Sequence, residues 1–156
     1  MKEIWLVHSN SSVGEANLHL QFTPKYRRKV FSDEVIRFAC EEVLKGVARK
    51  LKVGLNGIGF GPDHVHLFVS GWKNYSVAEL ARRFKGTVSR IIRKNCFERI
   101  KKFLWGKAFW SGGYFYRTVG AVNRETMLRY VRESQSHHWK EQSIKPENQQ
   151  TTILQY

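Results

Sequence analysis

Acidic residues are scarce in this 156-residue chain, 13 against 27 lysines and arginines, for a formal net charge of +14. Such a surplus sets up a field that draws polyanions and speeds their encounter. Nucleic acid is the first partner of that kind and an anionic membrane surface the second. Long apolar runs are absent. No stretch approaches the roughly 18 residues of a bilayer span, so no membrane segment is expected. The opening MKEIWLVHSN lacks the apolar core of a signal peptide. Cysteine is nearly absent as well. Cys40 and Cys96 stand far apart inside helical patterns, without zinc-site spacing, and read as buried thiols in a reducing, cytoplasmic setting. No glycine pattern of a P-loop occurs, so chemistry driven by a bound nucleoside triphosphate is not indicated.

Aromatic residues, in contrast, are plentiful at 13%. Tyr26, Trp72, Tyr75, Phe84, Trp105, Trp110, Tyr114 and Tyr116 are interleaved with cations. Exposed rings among cations favour nucleic acid, because a ring can stack on an unpaired base.

The densest chemistry lies in GFGPDHVHLFVS, residues 59–70. Gly61-Pro62-Asp63 reads as a tight turn opening a strand. Side chains alternate along a strand, so His64, His66 and Phe68 share one face and Val65, Leu67 and Val69 the other, apolar one. Two imidazoles on one face, roughly 7 Å apart along the strand, can aim at one divalent ion.

Around this strand the chain reads in order. Residues 1–15 show no period, and SNSSVGE is loop-like, a lead to the domain. Residues 16–22 alternate, with Leu18, Leu20 and Phe22 on one face and Asn17, His19 and Gln21 on the other. Thr23-Pro24 ends that strand. Lys25, Tyr26, Arg27, Arg28 and Lys29 follow, four cations around one ring, suited to gripping phosphate. Ser32 is the expected N-cap of a helix over 33–51, with a stripe of Val35, Ala39, Val43, Val47 and Leu51 and with Ile36, Cys40 and Leu44 beside it. A glycine-rich strand over 51–60 precedes the histidine strand. Ser76-Val77-Ala78-Glu79 is a capping box opening a helix to about residue 94. Arg82, Arg83, Lys85 and Arg90 lie along its polar side and are candidates for gripping DNA backbone. A strand over 113–119 follows, then Asn123 caps a third helix over 124–139. The polar tail, 141–156, reads as extended or disordered.

Strand, helix, strand, strand, helix, strand is the split βαβ pattern of an α+β, ferredoxin-like fold with an antiparallel sheet. In it the first and third strands are central neighbours. His19 is therefore expected beside His64 and His66, with Asp63 close by.

These residues carry a family resemblance. FTPKYRRKVF (22–31), PDHVHL (62–67), FKGTVSR (84–90), FWS (109–111), Tyr114-Phe115, TVG (118–120) and Tyr130 in a late helix occur in this order. The chain resembles, over residues 16–139, the single-tyrosine HUH transposases of small bacterial and archaeal insertion sequences, including the REP-associated tyrosine transposases. The resemblance implies one HUH domain over 16–140, with a C-terminal helix carrying the tyrosine. It implies a single-strand DNA endonuclease and strand transferase. His64 and His66 would hold Mg²⁺ or Mn²⁺, and Tyr130 would attack the scissile phosphate and remain joined to the 5′ phosphate. It also implies a homodimer with sites completed in trans, and hairpins near element ends as partners.

Two positions depart from the family pattern. A glutamine often stands four residues after the tyrosine and helps bind metal; here position 134 is serine and Gln135 follows at five. A π-bulge would realign Gln135 with Tyr130, and Glu133, Ser134 and His137 share the tyrosine face at helical spacing. The third ligand is thus open among these four. The strand before the turn, NGIGF, lacks the carboxylate that relatives often place there, so Asp63 is the nearest acid. Two alternatives of other kinds are a non-catalytic single-strand binding module and a domesticated nuclease of repeated hairpins. The first lacks the aromatic RNA-recognition motif.

Overall fold

A computed structural model describes residues 6–120, together with Thr126, Arg129 and Glu133. The α+β, ferredoxin-like architecture expected from the element order is present. β3 (Asn17–Phe22), α1 (Glu34–Leu51) and β4 (Gly54–Gly61) form one half, and β5 (His64–Ser70), α2 (Val77–Asn95) and β6 (Phe115–Thr118) the other. The four-stranded sheet runs β4-β5-β3-β6, with every neighbouring pair antiparallel. A short helix, α3 (Phe97–Ile100), follows α2.

Alternation assigns the two faces of the sheet. Leu18, Leu20 and Phe22 of β3 and Val65, Leu67 and Val69 of β5 join one core with Ile36, Cys40 and Leu44 of α1 and Leu80, Phe84 and Val88 of α2. Each such fully buried side chain contributes roughly 1.5–3 kcal/mol of transfer free energy. Both helices therefore lie on one face. Asn17, His19, Gln21, His64, His66 and Phe68 belong to the other.

Three readings are corrected. The cap of α1 is Asp33, not Ser32: the Asp33 carboxylate accepts from the backbone N–H of Val35 and Ile36, while Ser32 belongs to a preceding 3-10 turn. The buried stripe of α1 is Ile36, Cys40, Leu44, Val47 and Ala48. A row of every fourth residue drifts by about 40° per step on a helix of 3.6 residues per turn. Val35 consequently begins that row 48% exposed, and only Val47 of the row is buried. Lastly, the segment read as loop-like contains a hairpin, β1 (Leu6–Ser9) with β2 (Ser12–Glu15). Its strands are too short to show a period. Lys73 Nζ donates to Ser12 Oγ at 2.7 Å and ties the hairpin to the β5–α2 connection.

The capping box at Ser76 is present, its hydroxyl accepting from Glu79 N–H. Cys40 is buried and Cys96 half-buried, both as free thiols. Among the described residues no helix is long and apolar enough to cross a membrane. The expected helix over 124–139 and the tail lie outside the described residues, except that positions 126, 129 and 133 are helical. Asn123, Tyr130, Ser134, Gln135 and His137 also lie outside them.

Candidate active site

Sheet register brings the histidines together. β3 and β5 pair so that Gln21 faces His66 and His19 faces Phe68, which sets His19 diagonally beside His66. His19 Nε2 and His66 Nδ1 are 2.9 Å apart, and their rings stack at 5.1 Å between centroids. The His64 ring meets His66 edge-on at 4.9 Å. All three are buried.

Each HUH imidazole is thus oriented through its Nδ1. The Asp63 carboxylate accepts from His64 Nδ1 at 2.8 Å. That bond places the proton on Nδ1 and the lone pair on Nε2, the form of imidazole that ligates a metal. His66 Nδ1 is likewise engaged, by His19 Nε2 of the neighbouring strand. Burial, then the charge of Arg117, depresses the His19 pKa to about 4. His19 is therefore neutral at neutral pH and can accept the proton of His66 Nδ1. Asp63 is itself anchored by Arg27, whose guanidinium lies 3.2 Å from it. Burial works to raise the Asp63 carboxyl, but the hydrogen bond with His64, then the charge and hydrogen bond of Arg27, outweigh it and hold the group below the usual carboxylate range.

Two features of this site escaped sequence reading. Opposite the histidine column stands a column of glycines: Gly57, Gly59 and Gly61 of β4 pair with Phe68, His66 and His64. A Cβ on Gly61 would collide with the His64 imidazole at all of its nearest atoms. Glycine there is the space His64 occupies. The signal was present as G-I-G-F-G before the turn, but only register shows which imidazole each glycine serves. The second is Arg117, which faces His19 across the β3–β6 pair and places a cation on the histidine face. Alternation of Phe115 and Arg117 along β6 carries that signal.

The basic candidates divide by location. Lys25, Tyr26, Arg27, Arg28 and Lys29 follow β3 directly, and Arg27 reaches the site through Asp63. Tyr26 and Arg27 have positive φ, 57° and 51°. Left-handed backbone at non-glycine residues costs of order 1–3 kcal/mol each and concentrates at functional sites. Arg82, Arg83 and Arg90 are exposed on α2, in the helical layer, on the opposite side of the sheet from the histidines. Arg82 and Arg83 pair with Glu79 at 3.8 and 3.3 Å. Lys85 is a fastener: its Nζ donates to the carbonyls of Ser111 and Gly113 at 2.8 and 3.0 Å, and Trp110 Nε1 donates to its own carbonyl. These bonds hold the segment leading into β6.

A four-stranded antiparallel sheet with two helices on one face, and oriented imidazoles beside a basic loop on the other, makes an α+β domain whose site suits a phosphate-bearing polyanion. The family model described as "Transposase IS200 like" matches residues 12–134, and the chain belongs to that family. The ISDra2 transposase TnpA of Deinococcus radiodurans is 27% identical over 129 residues, covering 83% of this chain and 89% of that protein. The transposase for insertion sequence element IS200 of Salmonella typhimurium is 29% identical over 102 residues, 65% of this chain and 66% of that one. A crystal structure from Deinococcus radiodurans R1, of a protein with a provisional transposase assignment, superposes with a TM-score of 0.65 at 26% identity, covering 83% of this chain and 97% of the other. A REP-associated tyrosine transposase bound to a REP hairpin shares the fold with a TM-score of 0.59 at 10% identity, over 96% and 94%. The chain is a transposase of the IS200-like family and, as such, a DNA-processing enzyme.

Proposed function

We propose that this transposase is a metal-dependent endonuclease and strand transferase for single-stranded DNA, with Tyr130 as nucleophile and His64 and His66 as metal ligands. The observation that carries the reading is the pair of imidazoles fixed through Nδ1, His64 on Asp63 and His66 on His19. Imidazoles engaged through Nδ1, with Nε2 left to coordinate, fit a divalent cation. Among the described residues, no three His, Cys, Asp or Glu side chains are grouped to hold an ion. The set therefore needs further ligands. Gln135, Glu133, Ser134 and His137 are the protein candidates, and phosphate oxygens of the DNA complete a shell for Mg²⁺ or Mn²⁺. When bound, the cation supplies charge neutralisation on the scissile phosphate.

The residues of the chain do the rest. The Tyr130 phenolic oxygen forms a bond to phosphorus as the bond from phosphorus to the 3′ oxygen breaks. The phenol loses its proton and the departing oxygen gains one, so the products are a 5′-phosphotyrosine and a free 3′-OH. The phosphodiester energy is kept in the tyrosine ester, which a second 3′-OH can attack to rejoin strands without ATP. Arg117 and the 25–29 loop supply positive charge beside the site. The hairpin bound by the REP-associated relative, together with the family, supports hairpins at element ends as the DNA partner. A homodimer with Tyr130 completing the partner's site follows from the family resemblance.

The test is covalent trapping. Wild type, Tyr130→Phe and His64→Ala are mixed with labelled single-stranded DNA carrying the element ends, with Mg²⁺ or EDTA, and resolved on a denaturing gel. A metal-dependent adduct in wild type, absent from both variants, is expected. Tight binding without an adduct in wild type would instead favour a non-catalytic binding module.

A further inference from the structure

Tyr26 and Trp105 are among the most exposed large side chains of the described residues, 68% and 71% exposed. They come from segments nearly 80 positions apart, yet their rings lie nearly parallel, 16° between planes and 6.3 Å between centroids. The Arg28 guanidinium lies over the Trp105 ring at 4.6 Å, and Lys25 Nζ over Tyr26 at 5.2 Å. Beside them is a shallow cleft of about 150 Å³, to which Lys25, Lys107 and Leu104 contribute and in which no acidic residue takes part. Burial does not account for two exposed rings held in parallel. The backbone at Tyr26 is left-handed, φ 57° and ψ 22°, so the ring is presented outward at a conformational cost.

We propose that Tyr26, Trp105 and Arg28 form a stacking platform for one unpaired base of the DNA strand. The Tyr26–Arg27 step then sets the distance from that base to the histidine site. The inference rests on the reading of the chain as a single-strand DNA transferase and deepens it. Flat π surfaces flanked by cations suit a nucleobase on a phosphate backbone. The base must be unpaired, because a base inside a duplex has both faces covered by its neighbours. The link to the site is direct. Arg27 follows Tyr26 in the chain and pairs with Asp63, and Asp63 orients His64. A base seated on the platform therefore fixes the register of the strand, and with it the phosphate offered to His64 and His66.

The experiment uses a DNA hairpin with single-stranded arms, carrying 2-aminopurine at successive unpaired positions, one per oligonucleotide. With wild type, one position is expected to be strongly quenched by stacking. Trp105→Ala should abolish that quench, Trp105→Phe should retain most of it, and Tyr26→Ala should weaken it. Trp105→Ala should also weaken binding by about tenfold or more, the usual effect of removing one stacked base. An abasic site at the quenched position should cost wild type the same factor and cost Trp105→Ala nothing further. Because both rings are exposed, thermal melting should be unchanged in these variants. No position-specific quench in a wild type that binds the DNA, or losses from Trp105→Ala and the abasic site that simply add, overturns the platform. If wild type still forms the Tyr130 adduct in that case, the transferase reading survives alone. If wild type neither binds nor reacts, both fall together.

Discussion

At the scale of single residues, the site is a relay of orientation. Arg27 holds Asp63, Asp63 holds His64, and His19 holds His66. Partners of this kind typically change metal affinity by about 10–100-fold when altered. Asp63→Asn should therefore weaken Mn²⁺ binding by about that factor in a calorimetric titration while leaving the fold intact. Gly61→Ala should act on the same quantity from the other side. Its methyl group would push the His64 ring off the Asp63 carboxylate, so Mn²⁺ affinity should fall although no ligand has been removed. Unchanged Mn²⁺ affinity in both variants would mean that the orientation of His64 does not matter to metal. The imidazoles themselves were legible in the sequence: alternation put His64 and His66 on one strand face, and the split βαβ order set the polar face of the strand bearing His19 beside them. Gly61 and Arg117 were not legible as site residues. Their roles depend on which residue lies across a strand pair, and pairing register is a property of two segments rather than of one.

At the scale of elements, the order of strands and helices was readable because hydrophobic periodicity changes sharply between 2 and 3.6 residues along the chain. Boundaries were less so. Ser32 and Asp33 are both good caps by type, and the choice fell to Asp33 because its carboxylate also meets Arg99 at 2.9 Å. Burial works to raise the Asp33 carboxyl, but the hydrogen bond from Arg99, the N–H donors of Ile36 and Val35 and the Arg99 charge together lower it. A carboxyl held low in the folded state stabilises fully above its ordinary value, near pH 4, and loses that contribution as pH falls through the folded value. Asp33→Ala should cost about 1 kcal/mol in urea unfolding at pH 7. The difference from wild type should shrink as the medium is acidified below about pH 4. A gap constant across that range would show that the cap is not carried by the ionised carboxylate. Sequence reading also gave the basic side of α2 to DNA. The fold places Arg82, Arg83 and Arg90 on the helical layer, away from the histidines, and occupies Lys85 with two carbonyls. A helical wheel shows that such a face is polar but not which side of the sheet it lies on.

At the scale of the whole molecule, the charge of +14 should dominate affinity for DNA. Plotted logarithmically, affinity for single-stranded DNA should fall with salt at a slope of roughly −0.7 per phosphate contact. Salt-insensitive binding would contradict that electrostatic contribution. The proposed in-trans arrangement has a separate test. His64→Ala and Tyr130→Phe are each expected to be inactive, and mixing them should restore adduct formation, because a mixed dimer pairs intact histidines with an intact tyrosine. No restoration, with subunit exchange demonstrated, would place both groups in one subunit.

The measurement that bears most directly on the catalytic assignment is the site of DNA attachment. Wild-type protein is reacted with single-stranded DNA carrying an element end in Mn²⁺, the adduct is digested with protease and nuclease, and the modified peptide is sequenced by mass spectrometry. The expected result is a single nucleotide-bearing peptide modified at Tyr130, formed with Mn²⁺ and absent with EDTA or in His64→Ala. Attachment at Tyr26, Tyr114, Tyr116 or any other residue, or an adduct indifferent to metal, would contradict the assignment of Tyr130 as the nucleophile of a histidine-held metal site.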